Sequence, residues 1–336
     1  MAPRVLPADA PSSIDQAVDV LRRGGLVAFP TETVYGLGAR ALDAEHLAKI
    51  FAAKGRPTSH PLIAHADGVE MARGLASSFG PEATLLAKAF FPGPLTLVVP
   101  RAAHVPAAIA GGGSSVGVRV PARPEALALI RALGEPIAAP SANKYQSLSP
   151  TLAEHVVRSL GDAVDLVLDG GPCASGIEST VLDVRGAPVR LLRPGALSLA
   201  RIREVVGEVL VEEVVPAADT ERLSPGLDEK HYAPRARLQV VSREALVREL
   251  RDLRDLPESP LEGRLGVVWL GTDGSPNLDE RVVSVVLPAD AEAYGSALFA
   301  ALHALDERGV GAIRVEAVEA TEAWMAVTDR LRRAST

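Results

Sequence analysis

Short runs of β-branched and aliphatic residues alternate with stretches whose apolar residues recur at three- and four-residue spacing along most of this chain. Such alternation admits few architectures, because recurring strands and helices bury their apolar faces by stacking helices on a sheet, the α/β class. In the first series, strands are expected at residues 26–29, 95–99, 116–120, 136–139, 166–169, 180–184 and 189–192. Helices are expected between them at 14–23, 44–53, 81–91, 124–133 and 151–160. Arg123-Pro124 and Ser149-Pro150-Thr151 read as helix openings, since proline is preorganised for a first turn. The polar stretch 217–235 has no sustained period and contains Pro225, Gly226 and Pro234, so it reads as a linker. The alternation then restarts, with strands at 238–241, 265–270, 282–287 and 312–315 and helices at 243–253, 289–307 and 321–333. A length of 336 residues also exceeds what one core usually organises. The expected organisation is a larger domain over residues 1–210, a linker or lid over 211–236, and a smaller Rossmann-like domain over 237–336.

Composition narrows the function classes. A formal charge of −7 disfavours broad, stable binding of nucleic acid, which depends on phosphate neutralisation, but it leaves open a small anion in a local basic pocket. Aromatics make up 4% of the chain, too few for an extended base-stacking surface. The apolar stretch 85–99 is broken by Lys88, Pro92, Gly93 and Pro94, short of the roughly 20 apolar residues a spanning helix needs. Residues 1–13 hold three prolines and no apolar core, so no signal peptide is expected. Cys173 is the single cysteine, which excludes an intramolecular disulfide and a multi-cysteine metal site and fits a reducing cytoplasm.

Candidate chemistry gathers in the first domain. Pro30-Thr31-Glu32-Thr33-Val34-Tyr35-Gly36-Leu37-Gly38 follows the first expected strand, where α/β sheets open their crevices; a polar turn with positive-φ glycines is the plain alternative. Lys54 and Arg56 close the next helix and can converge on one anion, as a point charge and a bidentate fork, or simply favour the helix dipole. His60 and His65 flank Pro61 in a loop and form no convincing metal pair. Arg119 sits inside an apolar strand, where a buried salt bridge and an anion-binding role are equally open. Pro140-Ser141-Ala142-Asn143, Ser179-Thr180 and Leu192-Arg193-Pro194-Gly195 repeat the theme of small polar residues and single arginines at strand edges. P-loop, dinucleotide-fold, nucleophile-elbow and zinc-protease motifs are all absent from the sequence, so any nucleotide is held by other means.

The stretches PTETVYGLG, KGRP followed by PLIAH, FPGPLTLVVP, VGVRVP, PSAN with Ser149-Pro150-Thr151, GIESTVLD and LLRPG stand in the order of one family. The chain resembles threonylcarbamoyl-AMP synthases in their two-domain form, a YrdC-like catalytic domain with a twisted mixed sheet, joined by a linker to a smaller Rossmann-like domain. The match is strong over residues 14–205 and continues through SPG and HYAP in the linker. The resemblance implies that L-threonine, bicarbonate and ATP give threonylcarbamoyl-AMP and pyrophosphate, for threonylcarbamoyladenosine modification of tRNA. It implies Lys54 and Arg56 as catalytic residues on the phosphates, with His60, Ser115, Ser141, Asn143, Ser149, Arg193, His231 and Tyr232 around ATP. Threonine would meet Thr33, His65, Arg119, Ala139 and Ser179. Magnesium would ride on phosphate oxygens without protein side-chain ligands, and the product would pass to a tRNA threonylcarbamoyl transferase. A carbamoyl-adenylate-forming carbamoyltransferase and a tRNA- or double-stranded-RNA-binding module are the alternatives. Between SPG and HYAP, residues 227–230 read Leu-Asp-Glu-Lys where the family is commonly more basic, which weakens any phosphate grip there.

The carbamate and the mixed anhydride of such a reaction hydrolyse readily, so residues 224–234 are expected to close over the site. Protease cleavage of this segment should slow when ATP and threonine are added, and a chain ending near Val215 should lose activity. Equal cleavage in both states, with normal turnover of the shortened chain, would leave the segment a plain tether.

Overall fold

The computed structural model describes residues 3–211, 222–226, 228, 230–255, 263–271 and 280–335. These divide into two compact units, one of residues 1–145 and 149–227, the other of 146–148 and 228–336.

The first unit opens with β1 (Arg4–Pro7), α1 (Pro11–Arg22), β2 (Val27–Phe29), β3 (Gly36–Arg40) and α2 (Ala44–Lys54). There follow β4 (Ile63–His65), α3 (Val69–Gly74), α4 (Pro81–Phe90), β5 (Leu95–Pro100), β6 (Ser115–Arg119) and α5 (Pro124–Leu133). It continues with β7 (Ile137–Ala138), α6 (Ala153–Leu160), β8 (Leu166–Asp169), β9 (Thr180–Asp183), β10 (Val189–Arg193), α7 (Leu199–Val206) and β11 (Val209–Val211). One mixed sheet of eleven strands runs β1-β8-β2-β3-β7-β4-β6-β5-β9-β10-β11. Ile14, Ala17, Val18 and Leu21 of α1 pack with Leu129, Ile130 and Leu133 of α5 over Phe29, Leu166 and Leu168.

Local chemistry fixes the helix ends. Proline stands in the first turn of α1, α4 and α5, where its missing N–H removes no intrahelical bond. Asp43 caps α2 by accepting from the backbone N–H groups of Glu45 and His46, and Gly55, at φ 65°, closes it. Lys54 is thereby held in the last turn. The expected opening at Ser149-Pro150-Thr151 is not one, because other segments take its polar groups. Tyr35 N–H donates to the Pro150 carbonyl at 2.8 Å and Cys173 N–H to that of Thr151 at 3.1 Å. Helix α6 starts instead at Ala153.

The glycines of PTETVYGLG are a second departure from the turn alternative. Gly36 and Gly38 lie in β3, neither with positive φ. What excludes a side chain is packing: a Cβ on Gly38 would stand 2.8 Å from Phe29 Cε1 and 2.9 Å from Ile137 Cγ2. Strand β3 pairs antiparallel with both β2 and β7, so Pro30 to Tyr35 form the connection between two central strands.

The second unit contains β12 (Arg237–Val241), α8 (Arg243–Asp255), β13 (Arg264–Leu270), β14 (Val282–Leu287), α9 (Ala291–Glu307), β15 (Val310–Glu316) and α10 (Met325–Ala334). Its strands are all parallel, in the order β12-β15-β13-β14, as a small Rossmann-like sheet requires. Leu246, Leu250 and Leu253 of α8 cover Leu265, Val267 and Trp269. Of the expected linker, residues 212–221, 227 and 229 lie outside the described residues. Residues 224–226 belong to the first unit, and Ala233, whose N–H donates to the Gln146 carbonyl at 2.9 Å, belongs to the second.

Gly38→Ala should therefore lower stability by about 1–3 kcal/mol through overpacking. Gly186→Ala, where an added Cβ meets nothing within 4 Å, should be close to neutral. Equal unfolding midpoints for the two variants would contradict the packing argument.

Candidate functional site

The connection from β2 to β3 is folded by its own hydroxyls. Thr31 Oγ1–H donates to the Val34 carbonyl at 2.6 Å, and the same oxygen accepts from the backbone N–H groups of Thr33 and Val34 at 3.2 Å each. Thr31 and Thr33 hydroxyls are 2.9 Å apart. This turn aims Glu32 and Thr33 at the end of β6, where Arg119 Nη2 donates to Glu32 Oε1 at 2.6 Å and to Thr33 Oγ1 at 2.9 Å. Glu32 Oε2 accepts from Ala122 N–H at 3.0 Å. Arg119, Glu32 and Thr33 are buried, and Arg119 Nε has no hydrogen-bond partner. The buried salt bridge left open by the sequence is thus present, and Nε is a buried donor of the same guanidinium that remains unused.

Strand pairing brings His65 to the same place. Parallel β4 and β6 set His65 opposite Arg119, with the ring edge-on to Phe29 at 6.1 Å. Burial, reinforced by Arg119, lowers the His65 pKa to about 3, so its imidazole is neutral in ordinary buffers. Ala139 follows β7 directly and is buried.

A second group centres on Lys54. Its Nζ donates to the carbonyl oxygens of Ser141 and Asn143, the latter at 2.6 Å. Arg56 Nη2 donates to the Pro61 carbonyl at 3.0 Å, and His60 meets Tyr145 edge-on at 5.5 Å. Burial, with the charges of Arg56 and Lys144, pushes the Lys54 pKa well below its ordinary value, while Glu178 opposes the shift. Glu178 in turn accepts from the Ser149 hydroxyl. Ser115, at the start of β6, is buried as well.

Ser179 precedes β9. Its hydroxyl lies 2.8 Å from that of Thr96 on β5, and its carbonyl accepts from Arg193 Nη2 at 2.9 Å. Arg193 Nη1 also donates to the Pro225 carbonyl at 3.1 Å. Gly195 allows this closeness, since a Cβ there would fall 2.4 Å from the Glu178 carbonyl oxygen. The predicted residues of the first unit therefore fall into an arginine–carboxylate–hydroxyl group and a cationic group. His231 and Tyr232 belong to the second unit. There His231 N–H donates to the Arg333 carbonyl at 3.1 Å, and the Tyr232 ring packs on Phe299 beneath the Arg330 guanidinium.

Sequence reasoning passed over Glu32, Thr96, Lys144 and Glu178. Glu32 was visible as the lone carboxylate of PTETVYGLG, and Glu178 as a carboxylate between an apolar residue and two hydroxyls, which is the signal that could have found them.

Lys54 has a pH signature. Its pKa falls on folding, so the unfolded chain holds the extra proton and stability rises as pH climbs toward 10.5. On the alkaline side, up to pH 10.5, the unfolding midpoint should carry a rising component that Lys54→Met lacks. Identical profiles for the two proteins would contradict the buried-charge assignment.

Comparison with known proteins covers most of the chain. Residues 19–195 match the family model described as Telomere recombination, and residues 197–336 match the one described as Threonylcarbamoyl-AMP synthase, C-terminal domain. A threonylcarbamoyl-AMP synthase of Pyrococcus abyssi is 43% identical over 324 residues, covering 95% of this chain and 93% of its own length. That of Bacillus subtilis is 37% identical over 325 residues, 96% and 92% of the two chains. The crystal structure of P. abyssi Sua5 complexed with L-threonine is 41% identical, with a TM-score of 0.86 over 96% of this chain and 94% of its own. Matched over residues 19–195 and 197–336 by family models, and over nearly all of its length by relatives of similar length, the chain belongs to the threonylcarbamoyl-AMP synthases, enzymes that make an adenylate.

Proposed function

We propose that this enzyme uses L-threonine, bicarbonate and ATP to form threonylcarbamoyl-AMP and pyrophosphate in the cytoplasm, and that the product passes to a tRNA threonylcarbamoyl transferase. The observation that carries the reading is the buried, partnerless Nε of Arg119 beside Thr33, in the same unit as the cationic group around Lys54. A buried donor left unsatisfied is costly unless a ligand completes it, and a carboxylate is the acceptor a guanidinium suits best. Arg119, Thr33, His65, Ala139 and Ser179 are the threonine residues of this reading. Lys54 and Arg56 neutralise the ATP phosphates, with Arg193, His60, Ser115, Ser141, Asn143 and Ser149 around the nucleotide.

The chemistry asks for positioning more than covalent help. The threonine amine adds to the carbon derived from bicarbonate, releasing water, and gives a carbamate. A carbamate oxygen then bonds to the α-phosphorus while the bond to the pyrophosphate oxygen breaks. Fixed cations at the departing charge and exclusion of water supply the catalysis. Among the described residues no three His, Cys, Asp or Glu side chains stand together to hold a metal. Apart from the Glu178 carboxylate, which accepts from Ser149, the side chains near Lys54 are cationic, amide and hydroxyl groups, a set that fits magnesium carried on phosphate oxygens and water, where it neutralises charge. Among the described residues no helix is long and apolar enough to cross a membrane.

Incubation with ATP, bicarbonate and labelled threonine should yield a labelled adenylate by mass, with pyrophosphate. Lys54→Ala and Arg56→Ala should each remove most pyrophosphate release while keeping a cooperative unfolding transition, a loss of about 1.5–3 kcal/mol per charge-assisted contact. Arg119→Lys should raise KM for threonine more than KM for ATP, since a point charge cannot reproduce a fork. No adenylate from the unaltered enzyme, or wild-type turnover by the Lys54 and Arg56 variants, would sink the reading.

A further inference from the structure

We infer that Glu32 and Thr31 are positioning residues that make the Arg119 subsite selective for a zwitterionic amino acid, rejecting ligands that carry only its carboxylate or only its ammonium. The inference rests on the threonine reading above and adds to it two residues and a rule of selection.

Charge gives the first half of the argument. Arg119 and Glu32 are both buried and are 2.6 Å apart, so together they bring no net charge to the subsite. Neither neighbour alters that balance. His65 is held neutral by burial, at a pKa of about 3, and burial keeps the Cys173 thiol protonated, its pKa raised to about 12. A ligand bearing only a carboxylate would place an unmatched negative charge near Glu32, and one bearing only an ammonium would place a positive charge near Arg119. An uncompensated charge in such a setting is expensive. A zwitterion supplies both charges and leaves the pocket neutral.

Proton placement gives the second half. Thr31 has one hydroxyl proton, and the Val34 carbonyl at 2.6 Å can only accept. That proton is therefore committed, and the 2.9 Å contact between the two hydroxyls must be Thr33 donating to Thr31. Thr33 Oγ1 already accepts from Arg119 Nη2, so what it still offers a ligand is a lone pair. Glu32 is fixed at both oxygens, by Arg119 and by Ala122 N–H, which holds the guanidinium with its Nε unpaired. The subsite thus presents a donor, Arg119 Nε, and an acceptor, Thr33 Oγ1, matching a carboxylate and an adjacent N–H or O–H donor.

Calorimetry on the full chain with three probes tests this: L-threonine, 3-hydroxybutyrate, which lacks the amine, and threoninol, which lacks the carboxylate. The unaltered protein should bind threonine about a hundredfold or more tighter than either analogue, since a mismatched charge at a close buried contact is strongly disfavoured. Glu32→Gln makes the subsite positive, so threonine should weaken, 3-hydroxybutyrate should strengthen, and their ratio should shrink by about tenfold or more. A merely structural Glu32 would weaken both probes alike. Thr31→Val frees the Thr33 proton and should weaken threonine by about tenfold, with Thr31→Ser restoring it. Should Glu32→Gln fail to fold, the Thr31 pair decides. Threonine binding by the unaltered protein with an unchanged ratio in Glu32→Gln, or an unchanged Kd in Thr31→Val, overturns the inference alone. No threonine binding by the unaltered protein overturns it together with the proposed function.

Discussion

Burying cations inside a protein is the constraint on which the first unit is organised. Lys54, Arg56, Arg119 and Arg193 all lie below the surface, and each needs partners that offset its desolvation. Those partners differ in kind. Arg119 has a full counter-charge in Glu32. Lys54 is held by the carbonyls of Ser141 and Asn143, which satisfy hydrogen bonds but carry no net charge, and Glu178 only partly opposes the resulting fall in its pKa. One side of the site is therefore balanced and the other is short of negative charge. This division fits two ligands of different charge, a zwitterion at Arg119 and a polyanion at Lys54.

The rest of the fold serves that placement. The eleven-stranded order interleaves segments distant in sequence, so that His65 and Arg119 face each other across β4 and β6. Gly38 lets β3 press against Phe29 and Ile137, and Gly195 lets the loop after β10 press against the backbone before β9. The helix termini contribute as well. Asp43 and Gly55 bracket α2, which fixes where Lys54 emerges. A buried ammonium can be aimed only if the helix carrying it has a defined end.

Much of this was legible in the sequence because it depends on local rules. The helix Pro124–Leu133 and the strands Leu166–Asp169 and Val282–Leu287 have the expected bounds, each being a periodic run with a proline, glycine or polar stop. Strand β3 was hidden, because its Gly-Leu-Gly run looks like a turn and the reason for the glycines lies in side chains from β2 and β7. Ser149 looked like part of a helix opening, whereas its hydroxyl partner, Glu178, is 29 residues away. Arg119 was recognisable as a costly charge, but its partner Glu32 is 87 positions distant, and no spacing rule pairs residues that a sheet brings together. The residues resembling family motifs could be named one by one, while the electrostatic division between them required the fold.

The central claim, that the Lys54 side of the site lacks negative charge until an anion supplies it, is open to direct measurement by proton inventory. Pyrophosphate binding to the full chain would be measured by calorimetry at a series of pH values below the ordinary lysine pKa of 10.5, in buffers of differing ionisation enthalpy, beside Lys54→Met. A bound polyanion lifts the depressed Lys54 pKa, so the unaltered protein should take up a fraction of a proton that the variant does not. Proton uptake that is zero, or the same in both proteins, would contradict the account.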